Sequence, residues 1–172
     1  MAVTEWTNGE ISTQAGTEDI EMWEHHLEQE VEQNSGIEVT ERSVLVIARR
    51  GQGLFKERVM CIEHRCRITK VDNQVHLRAS HLKPWRDATN EERLHGENGL
   101  LLTPSTDHLL DKGFISFENS GELIVSPVAH KPSLERMGVA TNRVVNVGSF
   151  TEGQKHFLNY HPEAVLLRAV RA

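Results

Sequence analysis

His81, Asn98, Asp107 and Asp111 are the residues of this chain whose types and order suit phosphodiester hydrolysis. A water attacking phosphorus must lose a proton. A neutral imidazole takes it near pH 7, because its unperturbed pKa of about 6.5 lies close by. The imidazole needs one fixed orientation, and the amide of Asn98 can tie backbone to loop beside it. The phosphate oxygens gain negative charge as the bond breaks, and a divalent cation held by carboxylates stabilises them. Asp107 and Asp111 are four apart, so on a helix they share a face and can converge on one ion. Hard oxygen ligands favour Mg²⁺, with Mn²⁺ or another divalent ion as the alternative. His108 stands about 100° round a helix from Asp107, so the two cannot serve identically. Arg49, Arg50, Arg78, Lys83 and Arg86 are the candidate phosphate contacts. The first two adjoin Gly51 and Gly53, which permit close backbone approach.

The surrounding pattern shows how these residues could be positioned. Leu54–Glu63 has helical apolar spacing at Leu54, Phe55, Val59 and Ile62. Cys66–Val71 and Val75–Ser80 read as short extended runs joined by Asp72-Asn73-Gln74. Pro84 forbids further ladder pairing after His81. Arg86–Glu97 is a polar loop, and Asn98–Thr103 restarts as a strand. Pro104–Lys112 reads as a short helix with Thr103 as cap, Pro104 at its first position and Gly113 as terminator. Phe114–Phe117 and Glu122–Ser126 flank Asn119-Ser120-Gly121 as a β-hairpin. Residues 128–148 look irregular. Thr151–Asn159 reads as a final helix, broken by Pro162.

The 172 residues suffice for one domain with an extension. No apolar run reaches the ~18 residues of a membrane span. The N-terminus shows no basic and apolar leader pattern. Cys61 and Cys66 are the only cysteines and form no CxxC pair. This excludes a disulfide framework and a four-cysteine zinc site, and makes a cytoplasmic location the expectation. The net charge of −6 hides an asymmetry. Residues 1–40 carry ten acidic residues and no Lys or Arg, whereas residues 41–172 carry all 19 basic residues against 15 acidic ones. A polyanion partner therefore stays open for the second part. Within the first, Thr17 caps an expected helix whose Ile20, Trp23, Leu27 and Val31 share a face.

The stretch RCRITKVDNQVHLRASHLKPWRDATNEERLHGENGLLLTPSTDHLLDKGFISFENSGELIVSP resembles the HNH endonuclease family, in a restriction-type branch with an ASHxKPW…NGLLL…DxLxDxGxISF pattern. The flanking RRGQG–LF and QKHFLNYHPEAV runs extend the resemblance over roughly residues 48–168. It implies an α+β fold centred on a ββα-metal finger, with the ββα core at about 66–113. That fold would sit in a nuclease domain spanning 41–172, preceded by an acidic extension over 1–40. It implies DNA as substrate, His81 as general base, Asn98 as the central Asn, and a metal set drawn from Asp107, Asp111 and His108. Two positions depart from the pattern. Ser80 stands where an acidic residue or His is usual, and Asp107 where His or Asn is usual.

The plainer readings are these. Trp85 after Pro84 is a core residue, and both cysteines are small buried residues. His161 makes a structural hydrogen bond, and His64, His76, His95, His130 and His156 are surface. Asn98 before Gly99 is turn chemistry. Asp111 divides evenly between a metal ligand and a structural charge. Two alternatives to an enzyme stay open. One is an inactive HNH-fold nucleic-acid-binding module. The other is an interaction protein that forms a homodimer or binds a protein partner through its acidic helix.

Overall fold

The chain divides into two units, residues 1–48 and 49–172, and the computed structural model describes residues 51–168. The expected acidic helix, the Ser43–Ala48 run, Arg49 and Arg50 lie outside the described residues.

Residues 51–60 are helical (α1) and bury Phe55 and Val59, four apart on one face. The helix ends earlier than the expected Glu63, where the Ile62 and Glu63 amides both turn back to the Val59 carbonyl. Buried Glu63 then meets Arg67 in a forked ion pair and also accepts from Gln154 Nε2 at 2.7 Å. The first expected extended run is instead a closed turn. Cys66 N–H donates to Val71 at 2.8 Å, Lys70 N–H returns to Cys66 at 2.9 Å, and Lys70 has a φ of 65°. The second run holds a single 3-10 turn, Gln74–His76, capped by the Asn73 side chain. Only Arg78–His81 is strand (β1).

β1 pairs antiparallel with β2, Gly99–Leu102, with His81 opposite Gly99 and Arg78 opposite Leu102. Every residue of β2 is buried, as its unbroken apolar run requires. Gly99 is needed there, since a Cβ would collide with Val59 and lie 2.7 Å from Phe55. The loop between the strands holds a short helix, Asn90–Arg93 (α2), closed by a Thr89–Glu92 capping box. A 3-10 turn, Gly96–Asn98, follows. Asn98 therefore ends a turn rather than opening the strand.

Pro104–Asp111 forms α3, which buries Thr106, Leu109 and Leu110. Thr103 precedes it without a side-chain cap bond, because its hydroxyl meets Thr106 Oγ1 at 2.9 Å. Gly113, at φ +73°, ends the helix against the Val165 carbonyl, where a side chain would clash. Ile115–Phe117 (β3) and Leu123–Val125 (β4) make the expected hairpin. Lys131–Arg136 (α4) is a helix within the stretch read as irregular, with Pro132 in its first turn. Glu152–Leu158 (α5) has a Thr151–Gln154 capping box, and His161–Ala164 (α6) begins at the tyrosine–histidine–proline step rather than ending there.

The result is an α+β domain of two short antiparallel pairs among short helices. One apolar core gathers Phe55 and Val59 from α1, the leucines of β2, Leu109 and Leu110 from α3, Ile115 and Phe117 from β3, and Phe157 from α5. The order β1, loop, β2, α3 is the ββα unit that positions the site.

Candidate active site

His81 is the last residue of β1 and is half-buried. The Phe55 ring lies parallel to its imidazole, with centroids 3.8 Å apart and planes within 8°. Trp85 stands perpendicular to it at 5.7 Å. His81 Nε2 lies 2.9 Å from the Arg93 carbonyl at the end of α2. A carbonyl oxygen only accepts, so Nε2 carries the ring proton and Nδ1 keeps its lone pair. Burial lowers the His81 pKa from the ordinary imidazole value. The bond to Arg93 and the charge of Asp107 pull upward without cancelling it. The ring is therefore neutral at pH 7 and poised to accept a proton.

Asn98 is fully buried and uses both ends of its amide. Its Oδ1 accepts the Lys83 N–H at 2.8 Å. Its Nδ2 donates to the Lys83 carbonyl at 3.3 Å and the Glu92 carbonyl at 3.0 Å. The Leu82 N–H donates to the Asn98 carbonyl at 3.0 Å. Asn98 thus ties both limbs of the loop between β1 and β2, and that loop carries the Arg93 carbonyl on which His81 rests.

The carboxylates are held less firmly. Asp107 sits in the first turn of α3 with its side chain 23% exposed, and its ion-pair partner among the described residues is Arg78, at 3.8 Å. It acts on His81 through its charge. Asp111 is exposed, lies 3.4 Å from Lys112, and acts through its charge on His161. His108 is exposed. Among the described residues no group of three or more His, Cys, Asp or Glu stands together to hold a metal. A Mg²⁺-type ion needs no such cage, since one or two carboxylates, water and substrate phosphate complete its octahedron. The donor set fits a site of that kind built on Asp107.

The expected phosphate contacts differ in freedom. Arg78 is 65% exposed beside Asp107, and Arg86 is 74% exposed, 3.4 Å from Asp87. Lys83 is already engaged, in an ion pair with Glu92 at 2.8 Å and 5.6 Å from the Tyr160 ring. That pairing holds the Glu92 carboxyl below its usual range. Trp85 is not a core residue: it follows Pro84 beyond the end of β1, and the residue is 41% exposed. Cys61 is exposed, whereas Cys66 is buried 3.7 Å from Thr106 Oγ1. His161 is buried. Its Nε2 donates to the Leu110 carbonyl at 3.0 Å, and its Nδ1 accepts from Ser116 Oγ at 2.9 Å. Burial pushes its pKa down to about 4.

Three contributors carry no residue-type signal for catalysis. Phe55 reads as an ordinary helix-face apolar residue. Arg93 acts through its main chain, which any residue has. Glu92 was readable only as the fourth residue of a Thr-x-x-Glu capping box.

No curated protein matches the chain. Residues 66–118 match the HNH endonuclease family model. The matched stretch contains His81, Asn98, Asp107 and Asp111, with β1, β2 and α3 entire. The ββα segment is thus similar to the HNH endonuclease family, whose model describes a nuclease-type domain.

Proposed function

We propose that the protein is a divalent-metal-dependent endonuclease that hydrolyses DNA phosphodiester bonds in a restriction or defence setting. One observation carries this reading. Burial lowers the His81 pKa, its Nε2 faces the Arg93 carbonyl, and its Nδ1 makes no hydrogen bond among the described residues, all inside the segment matching the family. His81 Nδ1 takes the proton of a water attacking phosphorus. Phe55 and the Asn98-tied loop hold the ring in place. Asp107 binds the divalent ion, Mg²⁺ first and Mn²⁺ as alternative. When bound, that ion would neutralise charge on the phosphate oxygens. Arg78 and Arg86 hold neighbouring phosphates, together with Arg49 and Arg50 from the preceding segment. The nuclease part spans 41–172. The acidic segment 1–40 serves a homodimer or protein partner, so its deletion should remove self-association or partner binding and spare DNA affinity.

A plasmid-nicking assay tests the proposal, comparing wild type with His81→Ala in Mg²⁺, Mn²⁺ or EDTA. The expected result is cutting that needs the ion and falls about 10²- to 10⁴-fold in the variant. Ser80 favours a second reading, a non-catalytic HNH-fold nucleic-acid-binding module, because it is buried and offers no ligand beside the base. DNA binding without cutting in every metal would establish that module instead.

A further inference from the structure

We infer that Trp85 is a nucleobase platform at the edge of the hydrolytic site, and that the preferred DNA carries an unpaired base beside the bond to be cut; this rests on the nuclease reading above. Trp85 stands perpendicular to the His81 ring at 5.7 Å, yet the residue is 41% exposed. Its neighbours hold it more than they cover it. Pro84 fixes the backbone that delivers it. The Arg93 guanidinium lies 5.0 Å over the indole. That guanidinium is itself fixed, with Nε donating to the Trp85 carbonyl and Nη1 to Asn90 Oδ1, both at 2.9 Å. An aromatic face backed by a fixed cation suits a second flat π-system, through stacking and cation–π attraction.

The charge nearby selects the occupant. Arg78, beside Asp107, and Arg86, next to Trp85 in the chain, are both largely exposed. Cations that suit phosphates and an indole that suits a base describe one ligand class, a nucleic-acid strand. Bases inside a duplex already have both faces covered by their neighbours. Only a base that is unpaired or splayed from the helix can lie on Trp85. The platform would therefore favour DNA with a single-stranded, bulged or mismatched position near the scissile phosphate.

The full chain in EDTA, where nothing is cut, tests this by fluorescence anisotropy. The probes are a paired duplex, the same duplex with one unpaired 2-aminopurine, and the matching single strand. The expected result is roughly ten-fold tighter binding of the unpaired-base duplex than of the paired one, with 2-aminopurine emission quenched on binding. Trp85→Leu, which keeps bulk without a π-face, should lose that preference and the quenching, leaving affinity for the paired duplex unchanged. Trp85→Phe should keep most of both. No preference in the wild type, or the same preference in Trp85→Leu, would overturn the inference and leave the nuclease reading standing. Failure to bind any of the three DNAs would overturn both. Should the Leu variant not fold, the wild type's preference and quenching decide alone.

Discussion

The two halves of the site are built to different standards. The half around His81 is finished before any ligand arrives. Phe55 stacks on the ring, Arg93 fixes its tautomer, and Asn98 saturates its amide on three backbone groups. The half around Asp107 is sparse among the described residues, with one half-buried carboxylate, one loosely paired and largely exposed arginine at 3.8 Å, and Asp111 and His108 out in solvent. Orientation of a base must come from the protein, since solvent water cannot supply it. The coordination of a Mg²⁺-type ion can be completed by water and phosphate. A fold can therefore leave the metal side open and still direct the chemistry.

The sharpest way to break this comparison is to remove the proposed base. His81→Ala should lower cutting about 10²- to 10⁴-fold with DNA binding retained. Equal rates for the two proteins would remove His81 from the mechanism. Asn98→Ala follows. It leaves the Lys83 N–H and the Lys83 carbonyl without their partner, whereas the Glu92 carbonyl keeps its helix-end N–H donors, and the cost is about 3 kcal/mol in stability. Urea unfolding should show that loss, and nicking by the surviving folded fraction should also be slower. A stable but slow variant would show that Asn98 acts on geometry more than on stability.

The scaffold of the carboxylate half has its own test. His161 pins the Leu110 carbonyl near the end of α3, and its pKa is pushed down to about 4 from an ordinary 6.5. The unfolded chain binds the proton first as pH falls. This contribution is therefore complete above about pH 6.5, shrinks as pH drops towards about 4, and is gone below it. The change across that window is about 3 kcal/mol. Urea midpoints of wild type should fall over this range, and His161→Asn should show a flatter profile from a lower start. Parallel profiles would assign the acid sensitivity to another group.

Much of this arrangement was legible from residue types. The order His81, Asn98, β2, α3 follows from an unbroken apolar run after Asn-Gly and from Pro104 and Gly113 bounding a helix. The β3–β4 hairpin followed from its turn residues. The misreadings have physical causes. Cys66–Val71 has strand-like composition, but its residues close on themselves through a left-handed Lys70. Arg78–His81 is short because Asn73 caps a 3-10 turn just before it. Size and apolarity place Trp85 in the core, because they do not reveal that the chain past Pro84 leaves it 41% exposed. The Arg93 carbonyl and the Glu63–Arg67–Gln154 cluster depend on contacts across the fold, which spacing along the chain does not encode.

Asp107 links the two halves, so its charge can be tested from either side. It raises the His81 pKa against the larger effect of burial. In the metal-free protein, Asp107→Asn should move the His81 titration to still lower pH, as read from its ring resonances by NMR. The same variant should weaken Mg²⁺ or Mn²⁺ binding in calorimetry. A shifted titration with unchanged metal affinity would keep Asp107 as a neighbour of the base and remove it as a ligand.

The smallest expected effect belongs to Asp111, and it is the one that decides how sparse the proposed metal half is. Its carboxylate is exposed, its ion-pair partner among the described residues is Lys112 at 3.4 Å, and the imidazole it acts on is His161. An exposed pair of this kind contributes about 0–1 kcal/mol. Asp111→Asn should therefore leave stability nearly unchanged and cutting within about two-fold of wild type, the latter because its charge acts on His161 while Asp107's acts on His81. A loss of metal affinity comparable to that of Asp107→Asn would instead mean that α3 presents both carboxylates to one ion, as their four-residue spacing allows. The open half of the site would then be closed by the protein after all, and the contrast with the His81 half would rest on exposure alone.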